Sequence, residues 1–428
     1  MKVLLIIEQC NPEWPSVPLV GYRFYEHISQ IVDTTLVTHS RNKTALEKIR
    51  SNKDIIYIFE SAFIKKYYAF VELLSKIGNK TVWPLYHTLS YAGYSEFNDL
   101  VYLNCKESVL RGDYDIVHAI TPIMPRYPVK TIKALNNTPF IIGPVNGGVP
   151  FPDSFKDVAK QEFADLNFLR TLGRFIIPGY RETYERADYI LAGSSYTQSL
   201  VEEMFNISNN KIELFYENGV EDSFIGDEKI FVFEPKDDQR VNLLFVGRLV
   251  PYKGADMLID AFDKLEKSIR DKVFLVIVGD GEERSNLEQR VQNLNLQEKV
   301  SFAGWVEQQK TLEYYQNSDI FCFPSIREFG GAVVLEAMAS GLPCIVVNNG
   351  GIGEYVTEKT GFRIDPISRD FVVQELKISI EKLVCDQTLR HNMSLQAVQR
   401  AKEFSWGSKA KAIVDIYKKL IDQPSEGV

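Results

Sequence analysis

The stretch Ser325-Ile-Arg-Glu328-Phe-Gly-Gly-Ala-Val-Val-Leu-Glu336-Ala-Met-Ala-Ser-Gly341-Leu-Pro343 carries the densest chemistry in the chain. An apolar run ending at Phe323 gives way to a Pro-Ser turn. Gly330 and Gly331 then open a helix that stops at Ser340-Gly341-Leu-Pro343. The glycines let backbone N–H groups approach a ligand closely, and a helix start offers unpaired donors with partial positive charge. That combination suits phosphate. Glu328 precedes the helix and Glu336 lies about two turns along it. Beside an anion, the two acids either accept hydrogen bonds from sugar or ribose hydroxyls, or serve the fold: Glu328 as a cap, Glu336 as a solvated or paired group.

A second stretch, Phe245-Val-Gly247-Arg248-Leu-Val-Pro-Tyr-Lys253-Gly254, sets two cations on a turn that follows another apolar run. In an open α/β sheet this is the carboxyl-end crevice where ligands bind. Two cations there match the charges of a diphosphate, each contact worth about 4 kcal/mol at roughly 4 Å and an effective dielectric near 20. The plainer reading is a pair of solvated surface residues, Lys253 above all.

Both stretches need strands to hold them. Continuous aliphatic runs at residues 3–7, 115–118, 140–143 and 189–193 read as strands buried on both faces of a parallel sheet, with amphipathic segments such as 129–135 and 180–187 between them. A doubly wound domain over 1–218 follows. Residues 221–240 carry Gly226, Pro235 and a dense set of charges, and 219–240 is read as an interdomain connection. The pattern restarts at Val241–Val246, Val273–Val278, Ile320–Phe323 and Cys344–Val347, giving a second domain over 241–405. A helix at about 408–421 has apolar positions at helical spacing, and the segment 406–428 is expected to pack back toward the N-terminal domain. The predicted class is α/β, with two Rossmann-like halves facing a central cleft.

Composition narrows the function. The chain has 428 residues, 45% hydrophobic and 25% charged, with 49 Lys and Arg against 57 Asp and Glu, a formal charge of −8. A general nucleic-acid binder would need excess cations instead. The five cysteines are scattered without a CxxC pair, which argues against a disulfide framework or structural zinc and for a reducing compartment. The apolar run near the N-terminus is too short for a signal-peptide core, and no run approaches a membrane span. The expectation is a soluble, cytoplasmic protein. Residues 63–76 interleave lysines with aromatic and aliphatic residues. They read as an interfacial helix giving peripheral contact with the inner face of a membrane, or as a core-facing helix with a basic outer side; the second is favoured.

GRLVPYKG, VGDGEER (278–284), FAGWV (302–306) and the Glu pair in REFGGAVVLEAMASGLP together resemble the C-terminal half of retaining glycosyltransferases of family four, two-domain enzymes of the GT-B type (glycosyl transferases group 1). Asn218-Gly-Val220 and Phe404-Ser-Trp406 are similar to that family as well. The resemblance is strong over 218–420 and weaker toward the N-terminus. It implies a nucleotide-diphosphate sugar on the second domain, with Arg248 and Lys253 gripping the diphosphate. Backbone N–H groups of Gly331, Ala332 and Val333 would meet the phosphates beside Gly330. Glu336 would bind ribose, and Glu328 the transferred sugar. Trp305 and Val306, with Gly247, Gly279 and Gly281, would line the rest of the donor site.

The resemblance also implies no cofactor and no catalytic metal; Asp113-Tyr-Asp115 looks like a metal-binding DxD but reads as a turn. UDP-sugars are expected over GDP-sugars, with UDP-glucose the preferred donor. A glycan or lipid-linked acceptor of bacterial surface polysaccharide synthesis is expected, with no nucleic acid as partner. His118 either faces the donor sugar or is a satisfied core residue. Departures from the family are Glu328-Phe-Gly-Gly331 where Glu-Gly-Phe-Gly is common, and Ile120 where many relatives have a second His. Retention suggests front-face displacement, with domain closure hinged near 218–240. Two rivals stand beside this reading. One is an NAD enzyme using Gly279-Asp-Gly281, whose fingerprint lacks its third glycine because Arg284 stands there. The other is a non-catalytic sugar-nucleotide binding protein of the same fold.

Overall fold

The computed structural model describes residues 1–49, 54–77, 80–120, 127–168, 173, 175–225 and 240–422. Most of the expected interdomain connection, 226–239, lies outside the described residues, as does 423–428. The chain divides into two compact units. The first comprises Met1–Gly148, Glu162–Glu217 and Trp406–Val428; the second comprises Val149–Gln161 and Asn218–Ser405. Residues 149–161, read from the sequence as N-terminal, therefore group with the second unit, where Phe155 is buried.

The first unit is built on strands β1 (Lys2–Ile6), β2 (Asp33–His39), β3 (Ile55–Ile58), β6 (Ile116–Ala119), β7 (Phe140–Val145), β8 (Tyr189–Ala192) and β9 (Ile212–Leu214), with a small antiparallel hairpin, β4 (Lys76–Ile77) and β5 (Lys80–Thr81), beside it. The large sheet runs β3-β2-β1-β6-β7-β8-β9, every pairing parallel. The second unit has β10 (Val241–Val246), β11 (Val273–Val278), β12 (Val300–Gly304), β13 (Ile320–Phe323), β14 (Cys344–Val347) and β15 (Gly361–Ile364), ordered β12-β11-β10-β13-β14-β15, again all parallel. Both are Rossmann-like, with strand order reversing at β1/β6 and at β10/β13. Both faces of the central strands are covered, so Leu4, Leu5, Leu243 and Leu244 are fully buried.

The apolar runs became strands. The segment 129–135 did not become an α-helix; it contains a single short 3-10 helix, Lys130–Ala134. The last helix runs Trp406–Asp422 and buries Trp406, Ile413 and Tyr417 in the first unit's core with Leu5 and Tyr25. Val220 and Ser405, at the two ends of the second unit's long segment, form a parallel bridge, and Val220 N–H donates to Phe404 C=O (3.0 Å). Helix Ala62–Leu74 faces the core through Ile64 and Val71, but its outer side is apolar as well as basic. Among the described residues, no helix is long and apolar enough to cross a membrane.

Candidate functional site

In the second unit, β10 and β13 pair with Leu243 opposite Ile320 and Leu244 opposite Phe321. The loops that follow them, 247–254 and 324–331, therefore leave the sheet side by side at the point where strand order reverses. Ile326 N–H donates to Tyr252 C=O (2.9 Å) and ties the two together. Across this seam Lys253 Nζ is paired with the Glu328 carboxylate, their side chains only 13% and 14% exposed. Ser325 Oγ donates to the same carboxylate (3.4 Å), and Lys253 lies over the rings of Tyr252 and Phe323. The solvated-surface reading of Lys253 thus fails. Arg248 is exposed, and its Nη2 donates to Tyr252 Oη (3.3 Å).

Glu328 is not a helix cap. Helix Ala332–Ala339 starts from Gly331, whose φ of 63° suits glycine, and no side chain caps it. Without a cap, the N–H groups of Ala332 and Val333 are the natural donors to an anion at this helix start. Gly330 is buried behind them. Glu336, on the same helix, is buried and not solvated: it accepts from Gln308 Nε2 (2.8 Å) and Tyr315 Oη (2.9 Å). Burial raises its pKa, against the lowering pull of those two donors. Gln308 and Tyr315 were missed by sequence reasoning; the only signal was a carboxylate in the apolar helix Ala-Val-Val-Leu-Glu-Ala-Met-Ala, which needs hydrogen-bond donors when buried.

The rest of the rim follows the strand ends. Gly247 N–H donates to Val278 C=O (2.9 Å), and Gly279 N–H to Gly304 C=O (2.8 Å). A Cβ on Gly279 would sit 1.9 Å from Gly247 O, so the two turns lie backbone against backbone. Leu249 N–H donates to Asp280 C=O (2.9 Å), next to Gly281. Trp305, one residue beyond β12, is 73% exposed, with Val306 half-buried after it. Arg284 opens helix Arg284–Asn293 and pairs with Asp280 and Glu288.

Arg327 was not anticipated. Its Nε donates to Val149 C=O (2.8 Å) and its guanidinium lies over Phe151 and Phe329, while Asn349 Nδ2 donates to Pro150 C=O (3.2 Å) and to Ile326 C=O (2.7 Å). Residues 149–151 are thereby fastened beside Glu328. Phe329, the aromatic displaced from its usual family position, stacks on this guanidinium.

In the first unit, His118 takes the core alternative. It is fully buried on β6, its Nε2 bonded to Gly143 C=O (2.8 Å) and its Nδ1 to Tyr417 Oη (2.6 Å). Burial lowers its pKa to about 4 although the Gly143 carbonyl opposes this, so the ring is neutral. A neutral ring donates Nε2–H to Gly143 and accepts from Tyr417, which leaves no nitrogen for a sugar. The expectation that His118 faces the donor is therefore corrected. Asp113 pairs with Arg111 (2.6 Å), whereas Asp115 accepts from Lys2 N–H (2.7 Å), so the DxD-like triplet is part of a turn and a strand edge.

The second unit thus sets two cations, Glu328 and an uncapped helix start on the adjoining loops that follow β10 and β13, with Glu336 buried further along that helix. Residues 226–400 match the family described as Glycosyl transferases group 1. An uncharacterised glycosyltransferase of Methanocaldococcus jannaschii is 31% identical over 249 residues, which span 56% of this chain and 62% of the relative. A D-inositol 3-phosphate glycosyltransferase of Corynebacterium urealyticum is 32% identical over 190 residues, 43% of this chain and 44% of the relative. The chain therefore spans between about two fifths and three fifths of these relatives. Anabaena HepE, crystallised with UDP, matches 98% of this chain and 100% of its own with a TM-score of 0.61 at 17% identity. That likeness shows the fold, a GT-B architecture of two Rossmann-like units.

Proposed function

We propose that the protein is a retaining, metal-independent glycosyltransferase that moves a hexose from a nucleotide-diphosphate sugar to a glycan or lipid-linked acceptor. The observation that carries this reading is the seam at β10/β13, where Lys253 pairs with Glu328 across two adjoining loops that also carry Arg248 and the Gly331 helix start. Lys253 and Arg248 would hold the diphosphate and stabilise its charge as it leaves. Backbone N–H groups of Gly331, Ala332 and Val333 would add donors to the phosphates. Glu328, already beside Lys253, would accept from a hydroxyl of the transferred sugar, and Glu336 from the ribose. Trp305, Val306, Gly247, Gly279 and Gly281 would border the base.

In this reading the bond from the anomeric carbon to the phosphate oxygen breaks as the bond to the acceptor oxygen forms on the same face. The leaving phosphate oxygen takes the acceptor's proton, and the protein contributes mainly charge stabilisation. UDP-glucose is the favoured donor, supported by HepE having been crystallised with UDP and glucose. A bacterial surface polysaccharide intermediate is the favoured acceptor. A thermal-shift panel of UDP- and GDP-sugars tests the donor: UDP-glucose should raise Tm most, and an unmoved Tm across the panel overturns the reading. Donor consumption with an acceptor separates a transferase from a binding protein.

A further inference from the structure

Helix Ala62–Leu74 of the first unit is apolar on two faces. It is fixed in place by Ser61, whose Oγ accepts from Ile64 N–H (3.2 Å) and donates to Glu96 (2.7 Å). Ile64 and Val71 enter the core. On the opposite side Phe63 is 73% exposed, Phe70 53% and Leu73 72%, with Leu74 exposed beside them. Positions 63, 66, 70, 73 and 74 fall on one face of a helix of 3.6 residues per turn, so these side chains form a stripe with Lys66 inside it. Lys65 stands on its shoulder; neither lysine has a carboxylate partner among the described residues, whereas Lys76 pairs with Glu72 (2.7 Å). The next helix, Trp83–Leu89, packs against this one and adds the exposed Trp83.

A core explains only the inner stripe. The outer one is a contiguous apolar surface of the kind that marks an interaction site. We infer that this face docks on an anionic lipid surface, with Phe63, Phe70, Leu73 and Trp83 entering the headgroup boundary and Lys65 and Lys66 meeting lipid phosphates. The charge pattern selects this occupant. Lysine stems lie along apolar surface while their ammonium groups reach outward, as at a bilayer interface. A second copy of the chain fits poorly, because a two-fold contact would set this lysine-bearing stripe against itself. The inference is independent of the transfer reaction proposed above and survives or fails without it.

Co-sedimentation of the full chain with vesicles of phosphatidylcholine, with and without phosphatidylglycerol, tests it. Binding is expected only with phosphatidylglycerol and should weaken as salt rises. Phe63→Ser with Phe70→Ser and Leu73→Ser should cut it by at least about tenfold. Lys65→Glu with Lys66→Glu should cut it too, at unchanged Tm, and this pair keeps the test valid should the triple variant fold poorly. Wild-type chain that stays in the supernatant at low salt overturns the inference. So does sedimentation insensitive to both variants, or self-association in gel filtration that the triple variant abolishes while vesicle binding is absent.

Discussion

Arg248 and Lys253 hold their places by different means, and this sets what their removal should do. Lys253 is packed between Glu328 and two rings, whereas Arg248 is exposed and donates to the Tyr252 hydroxyl. Under the proposed chemistry, Arg248→Ala should lower turnover by roughly 10²–10³, the usual cost of a lost charge-stabilising donor, without moving Tm. Single-turnover release of the nucleotide reads this, and activity within a few-fold of wild type removes Arg248 from the site. Glu336→Ala acts on stability as well as on the proposed ribose contact. It strands the fully buried Tyr315 hydroxyl, so urea denaturation should show a loss of about 1–3 kcal/mol; an unchanged midpoint contradicts the burial argument. At this scale the sequence was a partial guide. Gly-Arg after an aliphatic run and a carboxylate before two glycines announce an anion site by residue type. The Lys253–Glu328 contact joins positions 75 residues apart, and the partners of Glu336 come from a helix with no motif of its own. Tertiary packing decides both.

Among the elements, strands with unbroken aliphatic runs were legible because burial on both faces leaves no alternative composition. β2, Asp-Thr-Thr-Leu-Val-Thr-His, escaped that filter: its threonines are buried in the sheet yet read as polar. The turns between strands are where elements constrain one another. A side chain at Gly279 would meet Gly247 O at 1.9 Å, and its φ of 135° disfavours any L-residue. Gly279→Ala should therefore cost about 1–3 kcal/mol or more, visible as a lower Tm; a Tm equal to wild type means the turns can part. The last helix carries a second test. Lys409 donates to Tyr216 C=O beside Phe215 and Trp406, and burial lowers its pKa from 10.5 to about 7, with Glu217 pulling upward. Between those values the unfolded chain holds a proton that the folded chain has released, so this group adds stability as pH rises from about 7 toward 10.5. Below about pH 7 both states are charged and the burial cost stands in full. The Tm difference between wild type and Lys409→Met should consequently move in favour of wild type across that window. A difference that does not vary with pH refutes the assignment.

For the molecule as a whole, alternation of strand and helix conveyed two α/β halves, but not how the chain divides between them. Residues 149–161 join the second unit through Phe155 and the Arg327 contact, and no feature of that stretch, with Pro150 and Pro152, shows it in advance. Trp406–Asp422 likewise completes the first unit from the far end of the sequence. This interleaving bears on synthesis. Tyr25, Leu5 and Ile413 share one core, and the Tyr417 hydroxyl satisfies His118, yet the ribosome delivers the closing helix only after all of 218–405 has emerged. At about 5–20 residues per second the nascent first unit waits roughly 10–40 s with an oily seam uncovered. A chain ended at Ser405 never closes that seam, and it should partition into inclusion bodies or onto chaperones while the intact polypeptide accumulates in solution.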